Sequence, residues 1–183
     1  SGMDGIHGPV ANLGEVEDRY RIALEVAAGA RLGQVVVDND RIAAISIDLL
    51  KRKRAGRLTF LPLNKILTNS KNKSEVFQRS VVTNLNKNTG FIGRAIDLIQ
   101  FDSIYKNVFG YVFGETVVFG DLSSARDQLG IKRAVTLDGE LLEKSGAMTG
   151  GSLNNRSLGL SFGRAKDNDD FDPLKNRLLE VGE

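Results

Sequence analysis

Residues 145–152 read SGAMTGGS, with Gly146, Gly150 and Gly151 inside six positions and a serine at either end. Glycine-rich loops of this kind can do one of two things. They can present backbone N–H groups to a phosphate, or they can omit side chains so that another backbone comes close. Gly146 and Gly151 match the first six positions of a G-x-x-x-x-G-K-[ST] phosphate loop. The next residues are Ser152 and Leu153, so the lysine that would reach the terminal phosphates is missing. Residues 153–166, LNNRSLGLSFGRAK, show no helical pattern, and no G-x-G pair occurs anywhere in the chain. A simple turn needs one or two glycines, so three in six positions tilt the reading toward close approach of a second backbone.

The second candidate is the basic run KRKRAGR, residues 51–57, in which five of seven residues are cationic. Cations near a helix C-terminus are favoured by the helix dipole, by about 0.3–1 kcal/mol each at exposed sites. That explains a few charges but not their wider setting. Between Lys51 and Arg94 the chain carries eleven Lys or Arg and a single acid, Glu75, a local charge of +10 against −8 for the remainder. A net charge of +2 therefore hides a segment suited to a polyanion. Its aromatics are Phe60, Phe77 and Phe91 alone, too few for a base-stacking platform. Contact would be with backbone phosphates, sensitive to salt and indifferent to base sequence.

Other chemistry is poorly supplied. There is no cysteine and one histidine, His7, so disulfides, thiolate catalysis and cysteine or multi-histidine zinc sites are excluded. His7 lies in GIHGP, where packing of the chain entry is a better reading than a catalytic triad. The acidic run DNDDFD at 167–172 lacks the glycine and glutamate that a calcium-binding EF-hand loop needs at its sixth and twelfth positions, which here are Asp172 and Leu178. No metal ligands and no catalytic residues are assigned. No run approaches the roughly 18–20 apolar residues of a membrane span, and no signal-peptide pattern opens the chain. Ser1-Gly2 reads as a cleavage scar.

The elements that must carry these candidates follow from periodicity. EVEDRYRIALEVAA, 15–28, predicts a helix burying Val16, Tyr20, Ala23, Leu24 and Ala27, ended by glycine. QVVVD predicts a buried strand. A helix follows from about Arg41 to Arg54, with Ile42, Ile45 and Leu49 facing inward and Gly56 as its stop. RLTFL reads as a strand closed by Pro62. The Asn/Lys-rich stretch 64–90 predicts a surface excursion with a short strand or helix near 76–85. FIGRAIDLIQF, 91–101, predicts one strand, and 102–114 a helix with Ile104, Val108, Tyr111 and Val112 on one face. TVVFG and RAVTL are strands flanking a short capped helix, and Asp138-Gly139 turns the chain into ELLE. DPLKNRLLEVGE predicts a terminal helix with a narrow seam of Leu174, Leu178 and Val181. A faint echo joins the halves: Tyr20 and Gly29 stand nine apart, as do Tyr105 and Gly114, and a valine-rich strand ending in an acid follows each pair.

Taken in order, GIHGPVANLGEVEDRYRIALEVAAGARLGQVVVD, AGRLTFLPLNKI, AIDLIQFD, YVFGETVVFGDL and TLDGELLEKSGAMTGGS resemble the hinge domain of the structural maintenance of chromosomes (SMC) proteins, over roughly residues 5–153. TFLPL at 59–63 and the last segment are the most specific, and the last is closer to the bacterial chromosome partition and condensation form than to eukaryotic paralogues. The stretch 68–89 departs from the family pattern.

The resemblance implies an α+β fold of two related mixed α/β subdomains, with a short coiled-coil stub at the C-terminus. On this chain they would be subdomain I at 1–89, subdomain II with the glycine motif at 90–166, and linker plus stub at 167–183. It implies a non-enzymatic dimerisation hinge that closes a ring-like homodimer and binds DNA without sequence preference. The implied dimer interface is Gly146, Met148, Thr149, Gly150 and Gly151. The implied DNA contacts are Lys51, Arg52, Lys53, Arg54 and Arg57, then Arg164 and Lys166. No cofactor is expected in this domain. ATP and Mg belong to ATPase heads elsewhere in the parent, where kleisin-type accessory subunits would also bind. A cytoplasmic, nucleoid-associated location without membrane contact is implied. Two alternatives stay open: a hinge of a heterodimeric eukaryotic-type complex, and an α/β enzyme with a phosphate ligand.

Overall fold

The computed structural model describes residues 4–67, 89–152 and 160–164. The expected element near 76–85 and the expected terminal helix with its seam lie outside the described residues, as does Lys166.

The first half opens with β1 (Ile6–Pro9), a 3-10 turn at 10–12 and β2 (Gly14–Val16), then α1 (Asp18–Ala28). After a second 3-10 turn come β3 (Val35–Val37), α2 (Asp40–Lys53) and β4 (Phe60–Pro62). The second half has β5 (Phe91–Arg94), a 3-10 turn, β6 (Ile99–Phe101), a further turn at 103–105 and α3 (Lys106–Phe113). It continues through β7 (Val117–Phe119), α4 (Leu122–Ala125), β8 (Ala134–Thr136), β9 (Leu141–Leu142), β10 (Met148–Thr149) and β11 (Gly163–Arg164). Three sheets result, ordered β1-β3-β4, β10-β9-β8-β7-β5 and β11-β2-β6.

The echo in the sequence is a repeat in the backbone. β1 pairs with β3 antiparallel through Ile6–Val37, Gly8–Val36 and Pro9–Val35, with a bulge. β5 pairs with β7 through Phe91–Phe119, Gly93–Val118 and Arg94–Val117, with a bulge at the same place. Gly29 ends α1 at φ 55°, ψ −132°, and Gly114 ends α3 at φ 53°, ψ −129°. Residues with a Cβ rarely adopt such positive φ, which is why both helices stop at glycine. In each half the strand that follows runs parallel to a partner, β3 with β4 and β7 with β8.

The two repeats meet at the small sheet. β2 and β6 pair antiparallel, and Glu15 faces Gln100, its own counterpart 85 positions on. An approximate twofold axis therefore passes between these residues. Two arginines brace the joint. Arg31 Nη1 donates to the Tyr111 carbonyl at 2.6 Å, and Arg133 Nη1 to the Ala27 carbonyl at 2.8 Å. Each guanidinium thus sits at the C-terminal end of the other half's helix, where cations are favoured.

Strand alternation explains the cores. Val36, Leu61, Val118 and Val135 point into one central core shared by both halves, with Leu24, Phe109 and Phe113. Val35 and Val37 point outward beneath Ala43 of α2, and Val117, Phe119 and Ala134 pack outward with Ala125 of α4. Central strands covered on both faces read as continuous apolar runs, as QVVVD and TVVFG do.

Five expectations need correction. The helix expected from residue 15 begins at Asp18, because Gly14–Val16 is β2 at the joint. The strand expected over RLTFL is Phe60–Pro62, with Pro62 inside it. FIGRAIDLIQF is two strands in different sheets, because a 3-10 turn at 95–98 carries the chain from β5 across to the joint. On α2 the buried stripe is Ala43, Ser46 and Leu50, while Ile45 is 53% exposed. Counting only isoleucine and leucine selected a phase one residue off, since the small Ala43 and Ser46 let the helix approach the sheet. The Ser46 hydroxyl is satisfied by donating to the Ile42 carbonyl at 2.8 Å. The helix expected over 102–114 begins at Lys106, so Ile104 lies in the 3-10 turn before it and is exposed, while Phe109 and Phe113 join Val108 and Val112 in the core.

Candidate functional site

The glycine motif forms the outer arm of a hairpin. Thr136 and Glu140 shape the preceding turn, in which the Glu140 N–H donates to Thr136 Oγ1 at 3.1 Å and the Thr136 hydroxyl donates to the Glu140 carboxylate. β9 then leads to a turn closed by Glu143 N–H to the Ala147 carbonyl at 2.8 Å and Gly146 N–H to the Glu143 carbonyl at 3.0 Å. β10 returns along β9, with Met148 opposite Leu142 and Thr149 opposite Leu141. Leu142 is fully buried, whereas Met148 and Thr149 are exposed on the last strand of the five-stranded sheet.

Each glycine has a reason inside the chain. Gly146 and Gly151 sit at φ +97° and +122° with open space where a Cβ would be. Their backbone conformation requires glycine, whatever lies opposite. A Cβ on Gly150 would meet Glu140 Cγ at 3.1 Å. Glycine density alone therefore does not mark an interface here. The informative feature is the edge itself, a strand with a partner on one side only among the described residues and carrying an exposed methionine.

A second edge lies in the other repeat. β8 has β9 beyond it, but its counterpart β4 ends the three-stranded sheet with nothing beyond among the described residues. Asn64, just after β4, is held against the start of α2. Its amide donates to Asp40 Oδ1 at 2.9 Å while its Oδ1 accepts from the Asp40 N–H at 3.1 Å. That amide holds the Asp40 carboxyl below the usual carboxylate range. The TFLPLN segment is thus fixed in place as an edge.

The basic run closes α2. Asn39 caps the start, its side chain accepting from the Ile42 N–H at 2.9 Å, and Lys51, Arg52 and Lys53 occupy the last turn. Arg54 is the cap at the other end, at φ 48°, a positive value shared by no other non-glycine residue described. Lys51, Arg52, Lys53, Arg54 and Arg57 are all exposed. Arg52 is engaged with Asp48 at 2.6 Å. Twenty-two residues separate β3 from β4, against fourteen between the equivalent β7 and β8. The excess is the C-terminal part of α2, so the cations stand on a helix extension that the second repeat does without. Arg164 lies in β11, next to Val16 of β2 and in a different sheet from β4.

Two polar constellations escaped the sequence reading. His7 Nε2 meets Asp38 Oδ1 at 2.6 Å and its Nδ1 meets the Tyr105 hydroxyl at 2.8 Å, which ties β1 to the second repeat. Burial, then the charges of Asp102 and Asp38, push the Tyr105 phenol above its ordinary range. Arg21 and Glu25 of α1 engage the backbone at 161–162. Neither could be read from spacing, since the partners lie 31 to 141 residues apart in sequence. Among the described residues no group of three or more His, Cys, Asp and Glu is placed to hold a metal. No helix of the described residues is long and apolar enough to cross a membrane.

Comparison with known proteins places this geometry. The SMC proteins flexible hinge domain pattern matches residues 3–129. The chromosome partition protein Smc of Synechococcus sp. is 53% identical over 163 residues, covering 89% of this chain and 13% of that protein. The Smc of Pyrococcus furiosus is 38% identical over 168 residues, covering 91% and 13%. The chain thus spans about 13% of the length of the curated relatives it matches. The SMC hinge domain of Geobacillus stearothermophilus, solved as an asymmetric dimer, superposes with a TM-score of 0.74 at 30% identity, covering 99% of this chain and 70% of that one. The P. furiosus SMC hinge superposes with a TM-score of 0.67 at 34% identity, covering 93% and 83%.

Proposed function

The chain belongs to the SMC hinge family, and from that premise we propose that it dimerises a chromosome condensation and segregation ATPase and touches DNA backbone. The observation that carries the dimer is the pair of unmatched sheet edges. β10 ends one sheet and β4 ends another. In a homodimer the β10 edge of each copy lies along the β4 edge of its partner, so two joints close a ring. Met148 and Thr149 then become contact residues, with Gly146, Gly150 and Gly151 shaping the turn that presents them. The hinge dimer of the Geobacillus relative supports this reading. Residues 1–89 and 90–166 act as the two subdomains of that ring; the proposed linker and coiled-coil start at 167–183 lie outside the described residues.

DNA binding rests on the exposed cations of the α2 extension, Lys51, Lys53, Arg54 and Arg57, with Arg52 partly neutralised by Asp48. Arg164 and Lys166 are the second candidates. Exposed cations with no exposed aromatic at 51–67 suit phosphate contact rather than base reading. ATP hydrolysis, Mg binding and kleisin partners belong to heads beyond this chain, and the parent works in the cytoplasm on the nucleoid.

Solution mass tests the proposal, with and without a short DNA duplex. Twice the chain mass, with a further increase on adding duplex at low salt, is expected. A monomer at micromolar concentration overturns the homodimer, and an unchanged mass with duplex overturns DNA binding.

A further inference from the structure

Segment 160–164 belongs to the second half by sequence, but its backbone is held by the first half. Gly163 and Arg164 run parallel to β2, opposite Glu15 and Val16. Leu160 lies against Gly33, where a Cβ would meet its Cδ1 at 3.4 Å. Phe162 is 1% exposed and packs on Phe113, with ring centroids 6.1 Å apart. These contacts alone are short, since β11 has only two residues.

What completes the attachment is a pair of charged side chains on one face of α1. Glu25 is 4% exposed. Its Oε1 accepts from the Phe162 N–H at 3.0 Å and from the Ser161 hydroxyl. Arg21, one turn earlier, donates to the Phe162 carbonyl and to Ser161 Oγ at 3.1 Å. Asp18 steadies the guanidinium from outside at 3.1 Å. Both backbone groups of Phe162 are thus gripped by ionised side chains, the stronger class of hydrogen bond. A carboxylate is not buried in an apolar helix interface without such partners. The second repeat has Lys106 and Gly110 at the equivalent α3 positions, so the device is not part of the repeated fold.

We propose that Arg21 and Glu25 form a backbone clamp that fixes residues 160–164 as a strap, so that the outgoing chain is anchored to α1 and β2 independently of the dimer motif at 146–152. Load on the outgoing chain then passes into the first half and the central core. The β10 edge, which ends ten residues before the strap, is spared that load.

Hydrogen exchange on the whole chain tests this. In Glu25→Ala, amide protection at 160–164 should fall about tenfold or more, the loss expected when a charge-assisted hydrogen bond disappears. Protection at 141–149 and the dimer-to-monomer ratio should stay as in the parent. Arg21→Gln is the milder variant, since its side chain is 16% exposed against 5% for Glu25, and should give the same local loss should Glu25→Ala not fold. The chain has no cysteine, so Glu15→Cys with Gly163→Cys forms a unique crosslink. It should restore protection in the Glu25→Ala background. Unchanged protection at 160–164 in both variants overturns the clamp. Loss that spreads to 141–149, or dissociation of the dimer along with the strap, overturns its independence.

Discussion

Replacing Met148 with aspartate isolates the proposed edge. Met148 is 48% exposed in the single chain. Full burial of such a side chain contributes about 1.5–3 kcal/mol, so covering the exposed half contributes roughly 1 kcal/mol per copy. An aspartate forfeits that and places an unpaired charge in the joint, at a cost of about 3 kcal/mol or more. Two joints double both effects, for a total on the order of 8 kcal/mol. At about 1.4 kcal/mol per decade, the dimer constant weakens by five to six decades. Met148→Asp should therefore be monomeric by light scattering at micromolar concentrations where the parent is a dimer. Within a single chain the site is exposed, and surface substitutions usually stay within about 0.5 kcal/mol. Far-ultraviolet circular dichroism should thus be unchanged. Ile131→Asp is the control, at a residue 62% exposed and on neither edge strand. It should remain dimeric. A Met148→Asp chain that stays dimeric at the parent's concentration dependence refutes the edge-pairing argument.

Changing Lys51, Lys53, Arg54 and Arg57 together to glutamine should weaken duplex binding and reduce the slope of log affinity against log salt by about 3–4, measured by fluorescence anisotropy. An unaltered slope would remove the α2 extension from the DNA surface. Leu50→Ala should lower stability by about 2–4 kcal/mol, whereas Ile45→Ser should stay within about 0.5 kcal/mol, both read from denaturant melts. The reverse order would contradict the phase of α2. Tyr105 gives an alkaline test. Its phenol is raised in the fold, so above pH ~10 the unfolded chain loses this proton while the folded chain retains it. Stability should be level below pH ~10 in this respect and fall as pH rises through the folded value, and Tyr105→Phe should remove that part of the decline.

Legibility in the sequence tracked locality. Tyr20, Ala23, Leu24 and Ala27 are all buried as their spacing demands, because an eleven-residue helix imposes one period on them, while Val16 is buried as the end of β2 instead. The paired glycines at 29 and 114 were readable because each ends a helix in a conformation that side chains resist. The split of 91–101 was not, since alternation is the same whether one strand continues or two strands face different sheets. Ile45 misled because hydrophobicity was weighed without size. At the site, the positions in SGAMTGGS could be named but their reason could not. Two of its glycines answer to φ and the third to Glu140. The clamp and the His7 bridge depend on partners 98 to 141 positions away, which no window reaches.

The repeat explains why its exceptions matter. Two equivalent halves about the Glu15–Gln100 axis would present equivalent edges and equivalent helices. This chain departs from equivalence in three places. β9 and β10 extend one sheet while β4 has nothing beyond it among the described residues, α2 runs on past the length of its counterpart, and β11 lies beside β2 but not beside β6. The first departure turns two like edges into a donor and an acceptor that differ from each other. A molecule with one of each, set on sheets related by an internal twofold, can meet a second copy twice at once. The contacts then close after two subunits rather than propagating into a fibre. A second β9–β10 hairpin grafted beyond β4 would remove that distinction. It should leave the chain folded and monomeric, because both acceptors would be filled from within. A grafted chain that still forms the parent's dimer would show that the bare β4 edge is not where the ring closes.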